Sequence, residues 1–278
     1  MNTQKPITNK SVVRYIIAAL FSLVFTTALA GDFEDGLAAY ERQDYATALA
    51  KYRIAAQQGN RNAQALIGAM YYEGEGVAQD YKEAARWYQL AAQQGDTFGQ
   101  FTLGFMYEKG QGVAQDYAEA VRWYRLAALQ GYGPAQLNLG VIYSNGQGVA
   151  QDYAEAVRWY KLAAAQGVAK AQYNLAQSFL NGKGVTQDYA EAVRWYRLAA
   201  AQGVLEAHNN LGIMYGKGRG ATQDYVKAHM WFNIAAVGGD ADAIKNRDII
   251  AAKMTPQQIA EAQKLARECQ ARNFKNCD

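Results

Sequence analysis

Residues 61–96 read RNAQALIGAMYYEGEGVAQDYKEAARWYQLAAQQGD, and this stretch predicts a pair of helices. Apolar side chains in its first half recur at the spacing of a helix with one buried face. They are Ala63, Ile67, Met70 and Tyr71. Gly74 and Gly76 then end this helix, because glycine adopts left-handed backbone dihedrals without steric cost.

The second half of the stretch predicts another helix that begins after Asp80. The Asp80 carboxylate can accept the backbone N–H of Glu83, and the Glu83 side chain can reach back to complete a capping box. One broad stripe of this helix carries small and aromatic side chains, Tyr81, Ala84, Ala85, Tyr88, Ala91 and Ala92. Gly95 ends the helix, so the stretch predicts two antiparallel helices joined by a Gly-x-Gly loop.

The same pattern recurs along the chain at a fixed interval of 36 residues. Asp-Tyr dipeptides begin at Asp44, Asp80, Asp116, Asp152, Asp188 and Asp224. A period of this length indicates stacked helical units that bury their apolar faces only against neighbours. The predicted units are 61–96, 97–132, 133–168, 169–204 and 205–240. Residues 31–60 form a shortened N-terminal capping repeat, and residues 241–278 form a C-terminal cap whose helix starts at Thr255 and Pro256.

The repeat resembles a known family. Residues 133–168 carry Ala135-Gln136-x-x-Leu139-Gly140-x-x-Tyr143-x-x-Gly146-x-Gly148-Val149, then Asp152-Tyr153-x-x-Ala156-x-x-Trp159-Tyr160-x-x-Ala163-Ala164-x-x-Gly167. This pattern resembles the Sel-one-like repeat, a relative of the tetratricopeptide repeat. The resemblance implies an all-α fold, a right-handed α-solenoid of antiparallel helix pairs with caps at both ends. It also implies an adaptor or scaffold role in protein complexes, and exported bacterial members are associated with the cell envelope.

The first 30 residues have the character of a cleavable signal peptide. Lys5, Lys10 and Arg14 precede an apolar run from 16 to 27, and Ala28-Leu29-Ala30 is a small-x-small cleavage signal. The run is too short for a comfortable membrane span. We therefore expect cleavage after Ala30, no membrane span in the mature chain, and a periplasmic or secreted protein.

Charge argues against a nucleic-acid partner. The chain has 28 Lys and Arg, of which three lie in the signal segment, leaving 25 against 25 Asp and Glu. The mature chain is thus formally neutral, whereas nucleic-acid binding needs a concentrated cationic surface.

Two cysteines, Cys269 and Cys277, lie near the C-terminus. In an oxidising compartment such a pair predicts a disulfide, although two free thiols are the alternative. The last helix must end between them, near Asn273, for the bond to form.

Residues that carry chemistry are few, and we predict no catalytic group, metal or cofactor. Ser144 and Ser178 are the only serines after the signal segment, and neither belongs to a nucleophile motif. His208 falls in a column of glutamines, which predicts a hydrogen-bonding role, and His229 falls in a column of valines, which predicts a packed neutral side chain. A hydrolase remains an alternative, because cysteine-rich relatives are described as β-lactamases, but the repeats of this chain contain no cysteine.

A partner would contact the positions whose residue type differs from repeat to repeat, since the other positions maintain the common scaffold. First helices usually line the concave side of such stacks, and three of their columns vary. These hold Leu66, Thr102, Asn138, Asn174 and Asn210; Glu73, Lys109, Asn145, Asn181 and Lys217; and Ala65, Phe101, Leu137, Tyr173 and Asn209.

From these columns we predict a site for a protein or an extended peptide of the cell envelope. Its residues are Asn138, Asn174, Asn210, Lys109, Lys217, Phe101 and Tyr173. The asparagine amides would bond the peptide backbone, or alternatively would only link neighbouring repeats. Phe98, Phe101 and Phe105 would anchor a partner if exposed and fill space if buried. A glycan or peptidoglycan ligand is a further alternative, which exposed aromatic platforms would favour. The sequence leaves the oligomeric state open.

Overall fold

The computed structural model describes residues 30–277, and its regular secondary structure there consists of fourteen α-helices. The predicted signal peptide thus lies outside the described residues except for its last residue. The helices are α1 (Ala30–Glu41), α2 (Tyr45–Gln57), α3 (Arg61–Glu73), α4 (Tyr81–Gln93), α5 (Thr97–Lys109), α6 (Tyr117–Leu129), α7 (Gly133–Asn145), α8 (Tyr153–Ala165), α9 (Ala169–Asn181), α10 (Tyr189–Ala200), α11 (Leu205–Lys217), α12 (Tyr225–Val237), α13 (Ala241–Ala251) and α14 (Pro256–Ala271).

The described residues divide into two compact units, separated in the chain between Gly131 and Tyr132. In the first unit, α1 pairs with α2, α3 with α4, and α5 with α6, and each pair packs on the next. In the second unit, α7 pairs with α8, α9 with α10, and α11 with α12, again with each pair packed on the next, and α13 and α14 pack on α12.

Within each pair, an aromatic ring of the second helix lies on a small residue of the first. A Cβ atom built on Gly140 would approach the Tyr160 ring to 2.4 Å, so the glycine lets these two helices come close. The equivalent ring-bearing residues are all buried, namely Tyr88, Tyr124, Tyr160, Tyr196 and Phe232. Each helix pair therefore has its own small apolar core.

Within each unit, successive pairs are joined through the second glycine of the Gly-x-Gly loop. Gly184 has a φ of +72°, and a Cβ atom there would lie 2.0 Å from the carbonyl oxygen of Tyr153. The loop that follows α9 thus rests directly on the first residue of α8, in the preceding repeat. Gly220 contacts Tyr189 in the same way. The Gly-x-Gly motif does more than end a helix, because it also sets the contact between repeats.

The second helices begin at aspartate caps, as predicted, but the capping boxes do not form. Asp80 accepts the backbone N–H groups of Lys82 and Glu83. The Glu83 side chain turns away and accepts from Arg86 and from the indole N–H of Trp87. The predicted reach of Glu83 to the cap backbone is wrong, because cation and indole donors one turn along the helix compete for the carboxylate.

Buried glutamines link the helices of neighbouring pairs. Gln172 donates to the Ala164 carbonyl over 3.3 Å and accepts from Gln202 over 2.9 Å. Gln64 and Gln100 make the same two bonds in the first unit. These bonds satisfy amide groups that would otherwise be costly to bury.

His208 breaks this pattern, and the prediction that it makes hydrogen bonds is wrong. It is fully buried, and neither ring nitrogen makes a hydrogen bond of normal geometry with a described residue. Its ring instead stacks on Trp231 and packs against Phe274, with centroids 5.5 and 5.0 Å apart. Burial lowers the pKa of His208 to about 4, and an interaction with the Ala200 carbonyl offsets this only in part. His229 is buried as predicted, and burial lowers its pKa too.

The C-terminal cap contains one helix more than predicted, since α13 precedes the expected α14. The start of α14 is as predicted, with Thr255 as N-cap and Pro256 in the first turn. The outer face of α12 is apolar where α13 and α14 pack against it. Met230 and Ile234 are 1% and 2% exposed, whereas the equivalent Arg194 and Leu198 of α10 are exposed.

A disulfide joins Cys269 to Cys277, and α14 ends between them at Ala271. Asn273 and Phe274, inside the closed loop, have φ values of 50° and 63°, which non-glycine residues rarely adopt. The loop places the Phe274 ring against His208. The disulfide therefore holds an otherwise unfavourable turn that covers the end of the helical stack.

We expect reduction of this disulfide to lower the free energy of unfolding of the oxidised chain by about 2–3 kcal/mol, since it closes a loop of roughly eight residues. Urea denaturation with and without reductant measures the effect. The C269A/C277A variant is the control, because reductant should not move its midpoint. An unchanged midpoint in the unmodified chain would show that the bond adds no stability.

Candidate binding surface

The three predicted asparagines lie at matching positions of the first helices of the second unit. Asn138 is on α7, Asn174 on α9 and Asn210 on α11, and all three side chains are partly exposed. One residue earlier in each helix comes Leu137, Tyr173 or Asn209. These positions form one repeated polar row, which we call the asparagine row (Asn138, Asn174 and Asn210).

Tyrosine hydroxyls hold two members of the asparagine row. Asn210 donates to the Tyr173 hydroxyl over 3.4 Å. The side chains of Asn174 and Ser144 lie near the Tyr160 hydroxyl, where they partly offset the rise that burial causes in its pKa. Each of these asparagines therefore contacts the preceding repeat through a tyrosine, and no continuous asparagine ladder forms. The Asn138 side chain makes no hydrogen bond with any residue in the described range 30–277.

Tyr173 and Lys217 lie in the same unit as the asparagine row. The Tyr173 ring is half-buried against Tyr196, with centroids 5.8 Å apart, and its hydroxyl also accepts from Gln177 over 2.8 Å. Lys217 is exposed at the last residue of α11. Tyr173 is thus a fixed, partly open ring beside two amides, and Lys217 is an exposed charge at the helix end.

Phe101 and Lys109 belong to the first unit and are described with it. Phe101 is half-buried and packs on Tyr124, with ring centroids 5.6 Å apart. Lys109 pairs with Glu108 and lies 5.5 Å from the centroid of the Phe105 ring. Phe98 packs on Tyr88 in the same way. Because these phenylalanines are half-buried against their own unit, they mainly fill space.

A polar cavity of about 180 Å³ opens beside the asparagine row of the second unit. It is lined by Ser144, Tyr153, Ala156, Tyr160, Asn174, Gln177, Ser178, Asn181 and Lys183. Of these residues only Asn174 belongs to the predicted binding site, although Asn181 lies in one of the variable columns. The two serines could have given the signal, because they are the only serines after residue 30 and both line this cavity.

The chemistry of this cavity suits binding. Lys183 is the only cation of the lining, which contains no carboxylate. Burial raises the pKa of Tyr160 to about 12, so its hydroxyl stays protonated at neutral pH. Within the described part of the chain, no group of three or more His, Cys, Asp and Glu side chains could hold a metal ion. The arrangement offers amide and hydroxyl hydrogen bonds and one positive charge.

Comparison with known proteins agrees with this architecture. The Sel1 repeat family model matches residues 61–96, 97–132, 133–168, 169–204 and 205–240, the segments that the 36-residue period marks out. The chain belongs to the Sel1 repeat family, and the predicted all-α, α-solenoid class is confirmed. Sel1 repeats generally build non-catalytic scaffolds that mediate protein–protein interaction.

Two solved structures illustrate the likeness. A Sel1 repeat protein from Oxalobacter formigenes is 32% identical, with a TM-score of 0.74 over 85% of this chain and 99% of that one. The protective antigen c5321 of uropathogenic Escherichia coli, which displays an SLR fold, is 28% identical, with a TM-score of 0.44 over 98% of this chain and 74% of that one. No curated protein matches the chain. Among residues 30–277, no helix has the length and apolar character needed to cross a bilayer.

Proposed function

We propose that this chain is an exported, non-catalytic scaffold of the bacterial cell envelope that holds an extended peptide segment of a partner protein. The observation that carries the proposal is the asparagine row, which presents a partly exposed amide at the same position of three successive first helices. An amide side chain both donates and accepts hydrogen bonds, as an extended peptide backbone does. Regular spacing of such groups along a stack suits a ligand that is itself a chain.

A peptide fits the described surface better than a glycan does. Sugar binding favours open aromatic platforms. In the second unit, Tyr160 is buried, and Tyr153 and Tyr173 are half-buried. Polar amides and one cation, rather than open rings, dominate the cavity beside the asparagine row.

The test compares partner capture by the unmodified chain with capture by the N138A/N174A/N210A variant. Proteins from envelope extracts that bind each immobilised chain are quantified by mass spectrometry. We expect a specific partner to be lost about tenfold or more from the variant, since three amide hydrogen bonds at about 0.5–1.5 kcal/mol each are removed.

The matched control is the L162A/L198A variant, which truncates two exposed leucines on the second helices α8 and α10. It should retain the partner. Circular dichroism must show both variants folded, and equal capture by the unmodified chain and the asparagine variant would refute the proposed site.

Export is a separate part of the proposal and has its own test. We expect the full-length chain, expressed in a Gram-negative host, to be found in the periplasmic or secreted fraction with Gly31 as its N-terminal residue. Intact mass and N-terminal sequencing check this. A cytoplasmic protein that retains residues 1–30 would contradict it.

A further inference from the structure

The polar cavity exists because two bulky side chains are missing from one place in the stack. Ser178 occupies a buried position that other repeats fill with larger side chains, namely Met70, Met106, Ile142 and Met214. At the position of Ser144, other repeats carry Tyr72, Glu108 and Leu180. The last repeat has Gly216 there, but Ile250 of α13 lies 3.4 Å from where its Cβ would be. Beside Ser144 and Ser178 the lost volume becomes a cavity.

The charge of the cavity is not balanced by the protein. Lys183 makes no ion pair with any residue between 30 and 277, and its Nζ lies 5.2 Å from the centroid of the Tyr153 ring. Asn174, Gln177 and Asn181 add neutral amides. Lysine in the middle of the Gly-x-Gly loop is particular to this repeat, since Glu75, Gln111, Gln147 and Arg219 stand there in the others.

We propose that this cavity binds a single carboxylate group of the peptide held along the asparagine row, with Lys183 as its counter-ion and Asn174 as a hydrogen-bond donor. This inference rests on the proposed function. The cavity has one unpaired cation and no acidic group, so it matches a ligand group with one negative charge. Hydrogen bonds to such a charged group are stronger than those between neutral groups. Pockets for drug-sized ligands span roughly 300–1,000 Å³. A cavity of about 180 Å³ is therefore the size for one terminal or side-chain group of a peptide.

A carboxylate can come from the end of a chain or from an acidic side chain, and three blocked peptides distinguish these sources. They are N-acetyl-trialanine with a free C-terminal carboxylate, its C-terminal amide, and the amidated N-acetyl peptide Ala-Glu-Ala. Binding to the full mature chain is followed by amide chemical-shift changes at Asn174, Asn181 and Lys183. We expect at least one acidic peptide to bind about tenfold or more tightly than the amide of trialanine.

Two substitutions test the cavity with residues that other repeats already carry. S178M fills it with the side chain found at 70, 106 and 214, and K183Q removes the charge with the side chain found at 111 and 147. K183Q should abolish the preference for the acidic peptides, and S178M should abolish their binding. Melting curves establish that both variants are folded.

Several results would overturn the inference. These are equal binding of the acidic and amidated peptides, no binding of any peptide, tighter binding of N-acetylglucosamine than of the peptides, or unchanged preference in K183Q. Partner capture separates this failure from that of the proposed function. If S178M and K183Q keep the envelope partner that the asparagine variant loses, the peptide-binding row stands and the carboxylate pocket does not.

Discussion

Gly184→Ala is expected to destabilise the second unit by about 3 kcal/mol or more, although it adds a single methyl group. Two costs combine at this position. A left-handed conformation costs an L-residue roughly 1–2 kcal/mol, and Gly184 has a φ of +72°. The added Cβ would also lie 2.0 Å from the Tyr153 carbonyl oxygen, which is backbone and cannot rotate away.

Gly167→Ala is the matched control, because it carries only the first cost. Gly167 has a φ of +83°, and a Cβ there would meet nothing within 4 Å. We expect it to lose only about 1–2 kcal/mol. Urea denaturation followed by circular dichroism measures both variants. Equal losses would show that the second glycine of the loop does not set the contact between repeats.

The second large effect is a loss of folding stability at low pH. Burial lowers the pKa of His208 to about 4, below the value of about 6.5 for an unfolded histidine. The folded state therefore binds this proton less readily than the unfolded state does. The contribution of His208 to stability is complete above pH 6.5 and is lost as the pH falls towards 4, by about 3 kcal/mol in total.

The H208Q variant should not show this loss, because a glutamine side chain does not titrate. Glutamine is also the residue found at the equivalent position in the other four repeats. The quantity to measure is the difference in unfolding free energy between the two chains from pH 7 to pH 4. His229 has a lowered pKa too and acts in the same direction, but it is present in both chains and its effect cancels. The H229V variant should keep the His208-dependent loss. A difference that does not change with pH would contradict the burial of a neutral His208.

Local signals in the sequence were sufficient for most of the helical framework. Glycine and aspartate act on their own neighbours, so Gly74 and Asp80 mark the end of α3 and the start of α4 without knowledge of the rest of the fold. The family pattern gave the stacking of successive units. These predictions succeed because the repeat brings the same local chemistry back every 36 residues.

The three incorrect expectations have separate physical causes. His208 has a glutamine's position in the repeat, but Phe274, 66 residues later, covers it and removes the need for hydrogen bonds. Helix α13 was missed because only Ala243 and Ile250 of its residues are buried, which leaves a weak apolar pattern. The spacing of Asp80 and Glu83 predicts a capping box, but Trp87 competes for the Glu83 carboxylate.

The sequence predicts the asparagine row of the candidate site but not the cavity beside it. A row of partly exposed asparagines follows from the repeat register. The cavity beside it depends on volume that Ser144 and Ser178 leave unfilled. No sequence motif marks an unfilled volume. Comparison of each column across the repeats would have shown that both serines replace larger residues in most other copies.

Hydrogen exchange of the second unit, measured with and without a captured partner, locates the surface that the partner covers. We expect slower exchange in the first helices α7, α9 and α11 around Asn138, Asn174 and Asn210 when the partner is bound. The second helices α8 and α10 should exchange as in the free chain. Protection confined to α8 and α10, or no change in the first helices when the partner is bound, would contradict it.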